Sequence, residues 1–330
     1  MGKRKIYIDY LKMFAIALVV LQHSNAYYVE NAVGNADFFQ LVRMICSIIN
    51  VPAFVFCAGY LCRKKPIWRY YSNRFNRIVI PFWTFTSLKL VYTHFISDKY
   101  AHGTSFGEQW FNSYIIGDTY WFCYAIMLIC LCAPLLWKRN SARGVNIKGL
   151  VLGVGCIAFP LIAQSYNLEI INVFQIINAI YYFPFFLFGY IVKEYDDSLD
   201  LFVDKIGRKC YLICLSVIFM LCMVMYLTEI VEWGSLYMRF LTAMSIVLFT
   251  KEILKNATTE NVIVLFLSKY SLQIMLLDAF YKEVLFSLIC RIIPLSLITV
   301  LLVWALDISL CLLTCMALER IPYIRKTVGL

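Results

Sequence analysis

Charge is what this sequence has least of. Only 15% of its 330 residues are Asp, Glu, Lys or Arg and 3 are histidine, while 62% are hydrophobic. Soluble domains carry about 25% charged and about 45–50% apolar residues. A water-bounded core therefore cannot account for these apolar side chains, and lipid can; the mean hydropathy of +0.74 agrees. Other absences narrow the chemistry. No phosphate-cradling Gly-rich loop, no G-x-S-x-G and no H-E-x-x-H is present, so soluble-hydrolase and nucleotide-hydrolysing-pump readings lose support. There is no internal repeat, no low-complexity tract and no appended soluble domain, so a single membrane domain over residues 1–330 is expected. Cysteine is not scarce, but most of the 13, such as Cys57, Cys156, Cys214 and Cys311, fall inside apolar runs without ligand spacing. They read as small core hydrophobes, so neither a metal site nor a disulfide framework is expected.

Apolar runs long enough to span a bilayer cover about 6–28, 39–62, 77–96, 119–137, 149–165, 173–192, 210–228, 235–251, 262–286 and 293–317. The expected fold is an all-α polytopic membrane protein of about ten transmembrane helices. With the N-terminus inside, segments 1–5, 63–77, 138–148, 193–209, 251–255 and 320–326 hold 22 of the 30 Lys and Arg residues. Outside loops hold little more than Lys99 and Arg291. That asymmetry predicts both termini in the cytoplasm, and it assigns the net charge of +10 to topology, not to nucleic acid. The basic-then-apolar start, ending in Ser24-Asn25-Ala26, mimics a signal peptide. Asp9 and Lys12 interrupt that pattern, so the segment reads as a retained helix.

This first helix, DYLKMFAIALVVLQHS from Asp9 to Ser24, carries an acid, a lysine and a histidine in an apolar setting. Lys12 and His23 are eleven residues apart, three turns plus roughly 20°. Asp9 lies three residues before Lys12, so all three share one face. The rise from Lys12 to His23 is about 16 Å, roughly half the hydrocarbon core. Ionisable groups at such depths are costly and usually functional. His23 is the one histidine inside a clear span; His94 and His102 lie at or beyond an outside end. It could be an interhelical hydrogen-bond contact or a general base. Asp278 and Asp307 are carboxylates of the last two spans; either could orient His23 or pair with Lys12, Lys89 or Arg239.

On the inside, RKKPIWRYYSNRFNR (63–77) brings Arg74 and Arg77 to the mouth of the third span. Guanidinium pairs grip phosphates, with Lys64, Lys65 and Arg69 adding to the field. Topology enforcement and anionic lipid headgroups are the alternative use of the same charges. Pro52, Gly59 and Pro81 mark places where helices bend or approach closely. The outside connection 97–118, with His102, Gly103, Gly107, Trp110 and Asp118, reads equally as a cover over an outer mouth or as a linker.

Four segments together resemble the membrane-bound acyltransferase-3 family, whose members O-acylate sugars of bacterial surface polysaccharides. IDYLKMFAIALVVLQHS is similar to its D-x-x-(R/K)…VV-x-x-H opening, and VPAFVFCAGYL to its P-x-F-F-x-x-SG-(F/Y)-L segment. NRFNRIVIPFW is similar to its R-x-x-R-(I/L)…P-(Y/F) approach to the third span, and YWFCYAIMLICLCAPLL to its WF…P span. SKYSLQIMLLDAFY is a weaker likeness to a late S-x-x-IYL-x-H segment. The resemblance implies a ten-span fold in the bacterial cytoplasmic membrane. It also implies acetyl-CoA as acyl donor from the cytoplasm, its phosphates held by Arg74 and Arg77, with Lys12 beside the acyl arm. His23 would then act as general base on a hydroxyl of a polysaccharide or glycolipid. Three positions depart from the family. Lys12 stands where arginine is usual, a feature shared with a branch that resembles fucose acetylases. Ala58 replaces a serine. Asp278 takes the place of the late histidine, which invites a direct hydrogen bond to His23. The reading from another class is a transporter or channel using Lys, His and Asp as an ion relay.

Overall fold

A backbone in lipid must satisfy its own N–H and C=O groups, and each of the ten apolar runs coils into helix accordingly. The computed structural model describes residues 5–31, 37–95, 105–138, 144–165, 172–232, 235–257 and 261–330; His102 and Gly103 lie outside them. Among the described residues the chain runs through α1 (Ile6–Asn31), α2 (Asp37–Tyr60), α3 (Ile67–Arg74), α4 (Ile80–Phe95) and α5 (Phe106–Phe111). It continues through α6 (Trp121–Cys132), α7 (Ile147–Ser165), α8 (Ile176–Glu194), α9 (Asp196–Ile206) and α10 (Arg208–Leu227). Then follow α11 (Leu236–Leu254), α12 (Val262–Lys269), α13 (Ser271–Ile289), α14 (Leu297–Glu319) and α15 (Pro322–Thr327).

Six stretches are long and apolar enough to cross a membrane: α1, α2, Phe106–Leu136, Val173–Glu194, α10 and α14. The pair α12–α13 makes a seventh if its two limbs, bent by 77°, count as one span. The remaining runs are helical but fall short for identifiable reasons. Helix α4 has 16 residues, α7 is a shorter apolar helix, and α11 carries Arg239, Lys251 and Glu252. Two segments read from sequence as loops are partly helix: 63–77 contains α3, and 193–209 contains α9. The run 262–286, expected as one helix, breaks at Tyr270.

The described residues divide into two compact units, one of Met1–Ala58 with Tyr195–Thr314, the other of Gly59–Glu194 with Cys315–Leu330. In the first, α1 packs against α11, α12 and α13, and α10 against α11. Trp304 of α14 donates its indole N–H to the Ala17 carbonyl of α1 at 2.9 Å. A buried ionic clasp ties α9 to α11. The Lys251 ammonium sits between Asp196 at 2.9 Å and Asp200 at 2.8 Å, and Lys5 reaches Asp196 at 3.1 Å. Burial works against the Asp196 charge, but Lys251 and Lys5 outweigh it and hold the carboxyl below its usual range. Glu252, also buried, takes Arg208 at 3.1 Å and Lys255 at 2.9 Å.

In the second unit α8 packs against α6 and α7. Gly59 lies close against the α8 backbone at Phe186. A Cβ there would stand 2.0 Å from the Phe186 carbonyl oxygen, so only glycine lets the two backbones meet. Phe174 and Gln175, neither of them glycine, hold φ of 52° and 57° at the start of α8. The buried Gln175 side chain anchors this strained turn, donating to the Ile116 carbonyl at 2.9 Å and accepting from Asn178 at 2.5 Å.

Candidate active site

The face of α1 that carries Asp9, Lys12 and His23 is met along its length by α12 and α13. At the near end Ser268 serves both charged residues. Its hydroxyl donates to Asp9 Oδ1 at 2.6 Å, and its carbonyl accepts the Lys12 ammonium at 2.5 Å. That carbonyl lies beside the α12–α13 break, where regular helical bonding is interrupted, and the Ser271 hydroxyl adds a second donor at 3.1 Å. A break inside an apolar protein survives only when such freed groups find partners. Lys12 thus sits at the break as a donor to its carbonyl.

Eleven residues along α1, His23 Nδ1 is hydrogen-bonded to Asp278 Oδ2 of α13. Asp278 is fully buried while the His23 side chain keeps 38% of its exposure. With Asp278 as an anionic acceptor, Nδ1 carries the proton and the lone pair lies on Nε2. Among the described residues Nε2 has no hydrogen-bond partner. The two α1 contacts are eleven residues apart and their partners ten, so α1 and α13 run in the same direction. Of the two carboxylates the sequence offered, Asp278 takes the histidine. Asp307 is buried on α14, with its Oδ1 accepting the Cys311 thiol at 3.1 Å. An imidazole oriented by a buried acid, with its other nitrogen open, is suited to taking a proton from a bound hydroxyl.

In the second unit the basic residues of 63–77 do come together. Helix α3 passes through a π-turn, Phe75–Val79, into α4. The Pro81 ring opposes the carbonyl four residues back, that of Arg77, and Pro81 has no N–H to offer it. The turn widens instead, with the Ile80 N–H bonding the Phe75 carbonyl. Arg63, Lys65, Arg74 and Arg77, with Tyr70 and Asn73, line a pocket of about 260 Å³. The Arg74 guanidinium stands 5.3 Å from the Tyr70 ring centroid, and burial pushes the Tyr70 hydroxyl above the ordinary tyrosine range, so it stays neutral. Arg74 also borders an apolar pocket of about 600 Å³ walled by Trp68, Phe75, Trp83, Met127 and Leu131. Four cations at one pocket attract a multiply charged anion.

Ser268, Arg63 and Asn73 are site residues that sequence reasoning passed over. The S-K-Y-S likeness pointed near Ser268, whereas nothing local marks a serine carbonyl as the partner of a lysine more than 250 positions away.

Comparison with known proteins supplies what geometry alone does not. No curated protein and no solved structure matches this chain. A family model described as an acyltransferase domain matches residues 5–318, which include every residue of both constellations. With its apolar helices, its imidazole–carboxylate pair and its cationic pocket on the page, the chain belongs to the acyltransferase-3 family and is an acyltransferase of the membrane.

Proposed function

We propose that this protein is an integral-membrane O-acyltransferase with His23 as general base. It moves an acyl group, acetyl from cytoplasmic acetyl-CoA, to a hydroxyl of a cell-surface polysaccharide or glycolipid sugar. The observation that carries the reading is the His23–Asp278 bond, which fixes the ring by one nitrogen and leaves the other open. In the reaction His23 Nε2 takes the hydroxyl proton while the oxygen attacks the thioester carbonyl. The C–S bond then breaks, and the proton passes to the CoA thiolate. Asp278 stabilises the imidazolium in between. Arg74 and Arg77, with Arg63 and Lys65, hold the CoA phosphates. A ligand with phosphates at one end and an apolar arm at the other matches the way Arg74 borders both a basic and an apolar pocket. Lys12 contributes its charge beside the acyl donor, and its presence in place of arginine favours the fucose-acetylase-like branch.

The same reading takes residues 1–330 as one acyltransferase domain with ten spans, both termini cytoplasmic, in the bacterial cytoplasmic membrane. Parallel α1 and α13 support it, because the first and ninth spans of such a chain must run the same way. The test is equilibrium binding of labelled acetyl-CoA to purified protein in lipid. The Arg74→Ala/Arg77→Ala double variant is expected to bind at least tenfold more weakly, since each lost charge-assisted contact removes about 1.5–3 kcal/mol. Unchanged binding by a folded double variant would reject the pocket as the CoA site.

A further inference from the structure

The stripe of α13 that meets α1 carries a second charged side chain. Two contacts fix that stripe: Asp278 holds His23, and Phe286 stacks on Tyr27 with ring centroids 4.2 Å apart and planes 10° from parallel. Residues four apart share a helix face. Lys282, four after Asp278 and four before Phe286, therefore stands on the stripe between the two contacts. It lies about 6 Å along the helix axis from Asp278. Because α1 and α13 run the same way, that step leads outward in the orientation proposed above, to the side from which a surface hydroxyl approaches. Lys282 is half-buried, and among the described residues its ammonium makes no hydrogen bond or ion pair. A cation kept in an apolar helix without such a partner is costly, and residues of this kind line substrate paths.

We propose that Lys282 forms an acceptor subsite beside His23, binding a carboxylate of the sugar whose hydroxyl is acylated. The proposal rests on the reading of His23 as the base, and it narrows the acceptor to an acidic sugar, a uronic acid in the simplest case. Charge decides the class of anion. One ammonium matches one negative charge, and Glu30 of α1 and Glu283 of α13 lie toward the same end of their helices. A diphosphate would meet too little positive charge there, in contrast to the four-cation pocket of the second unit. A uronic acid carries its carboxylate and its hydroxyls on one ring. Anchored at Lys282, the ring presents a hydroxyl to His23 Nε2 one helical turn inward. The sugar then loses most of its freedom before the proton is taken, and a contact away from the reacting atom aids transfer in this way.

The test is equilibrium binding of methyl glucuronide and of its neutral methyl ester to the protein in phosphatidylcholine nanodiscs. Wild type is expected to bind the acid about tenfold more tightly than the ester, the effect of one charge-assisted contact. Lys282→Met should bring the two to equal affinity, Lys282→Glu should reverse their order, and Lys282→Arg should keep the preference. A melting temperature on each sample separates lost binding from lost fold. Should the variants not fold, the wild-type preference itself is expected to shrink as salt rises from about 50 mM to about 500 mM, and a preference indifferent to salt overturns the proposal. Wild type that binds both sugars equally, or neither, would mean that the ammonium only snorkels to the outer headgroups, which also overturns it. So would an acid preference that survives in folded Lys282→Met. A preference that depends on Lys282, in a protein whose acetyl-CoA turnover is untouched by His23→Ala, would keep the carboxylate subsite and remove the acyl-transfer reading instead.

Discussion

Replacing Lys12 with methionine tests whether the charge on α1 holds the broken helix in place. The stem of Lys12 is nearly matched by methionine, so packing changes little. What is lost is an ammonium that donates to the Ser268 carbonyl at 2.5 Å. A hydrogen bond from a charged group contributes about 1.5–3 kcal/mol. The Ser271 hydroxyl, at 3.1 Å, still serves that carbonyl, so part of the loss is covered and about 2 kcal/mol is expected. In a chain of this size that is a drop of roughly 3 °C in Tm. Ser268→Ala removes the hydroxyl that donates to Asp9 at 2.6 Å and leaves the carbonyl in place, so it should cost less, about 1 kcal/mol. Because both changes act on Ser268, the double variant should fall short of the sum by about 0.5 kcal/mol or more. Thermal melts of the four proteins in lipid nanodiscs, followed by tryptophan fluorescence, complete the cycle. A Lys12→Met protein that melts with wild type would refute the reasoning. So would Ser268→Ala doing more damage than Lys12→Met, since the clamp would then lie in the hydroxyl and not in the charge. Lys12→Arg keeps the charge that the family usually carries here and should lose less stability than Lys12→Met.

Other expectations follow from the same geometry. Gly59→Ala forces a methyl group against the Phe186 backbone and should destabilise by about 1–3 kcal/mol, whereas Gly155→Ala, inside α7 with nothing within 4 Å, should be stabilising by up to about 1 kcal/mol; equal melting temperatures for the two variants would contradict this. Asp196, held below the usual carboxylate range against burial by Lys251 and Lys5, contributes stability that is present above the unfolded carboxylate pKa of about 3.9 and is lost as pH falls through the lower folded value. The stability gap between wild type and Asp196→Asn should therefore be full at neutral pH and close in acid melts below about pH 4; a gap that persists unchanged there would be inconsistent with the ion-pair account.

The sequence made α1 legible because a helical period and three ionisable residues fix a face without any tertiary information. The helical runs were legible as apolar stretches, and six of them are long and apolar enough to cross a membrane, whereas α4, α7 and α11 fall short in length or carry charges that a count of apolar runs overlooks. The break between α12 and α13 was not legible, since Ser268–Ser271 contains neither proline nor glycine, and the bend persists through donors that a distant helix brings. The choice of Asp278 over Asp307 was hidden as well. Both are buried acids in neighbouring spans, and only the register of α13 against α1 decides which one reaches His23. The paired positive φ values at Phe174 and Gln175 left no local mark, because a buried glutamine network sustains them in place of glycine. The basic run 63–77 was visible as charge, whereas its arrangement depends on a π-turn that Pro81 helps to impose.

Acyl transfer by the proposed route depends on His23 as the base. Its most direct test is acyl transfer from acetyl-CoA by wild type and His23→Ala in lipid, with acetyl-CoA affinity and melting temperature measured on the same samples. The expected result is a loss of turnover of 10²-fold or more, about the contribution of a positioned general base, with affinity and stability nearly unchanged. Transfer by His23→Ala at the wild-type rate would contradict the central claim.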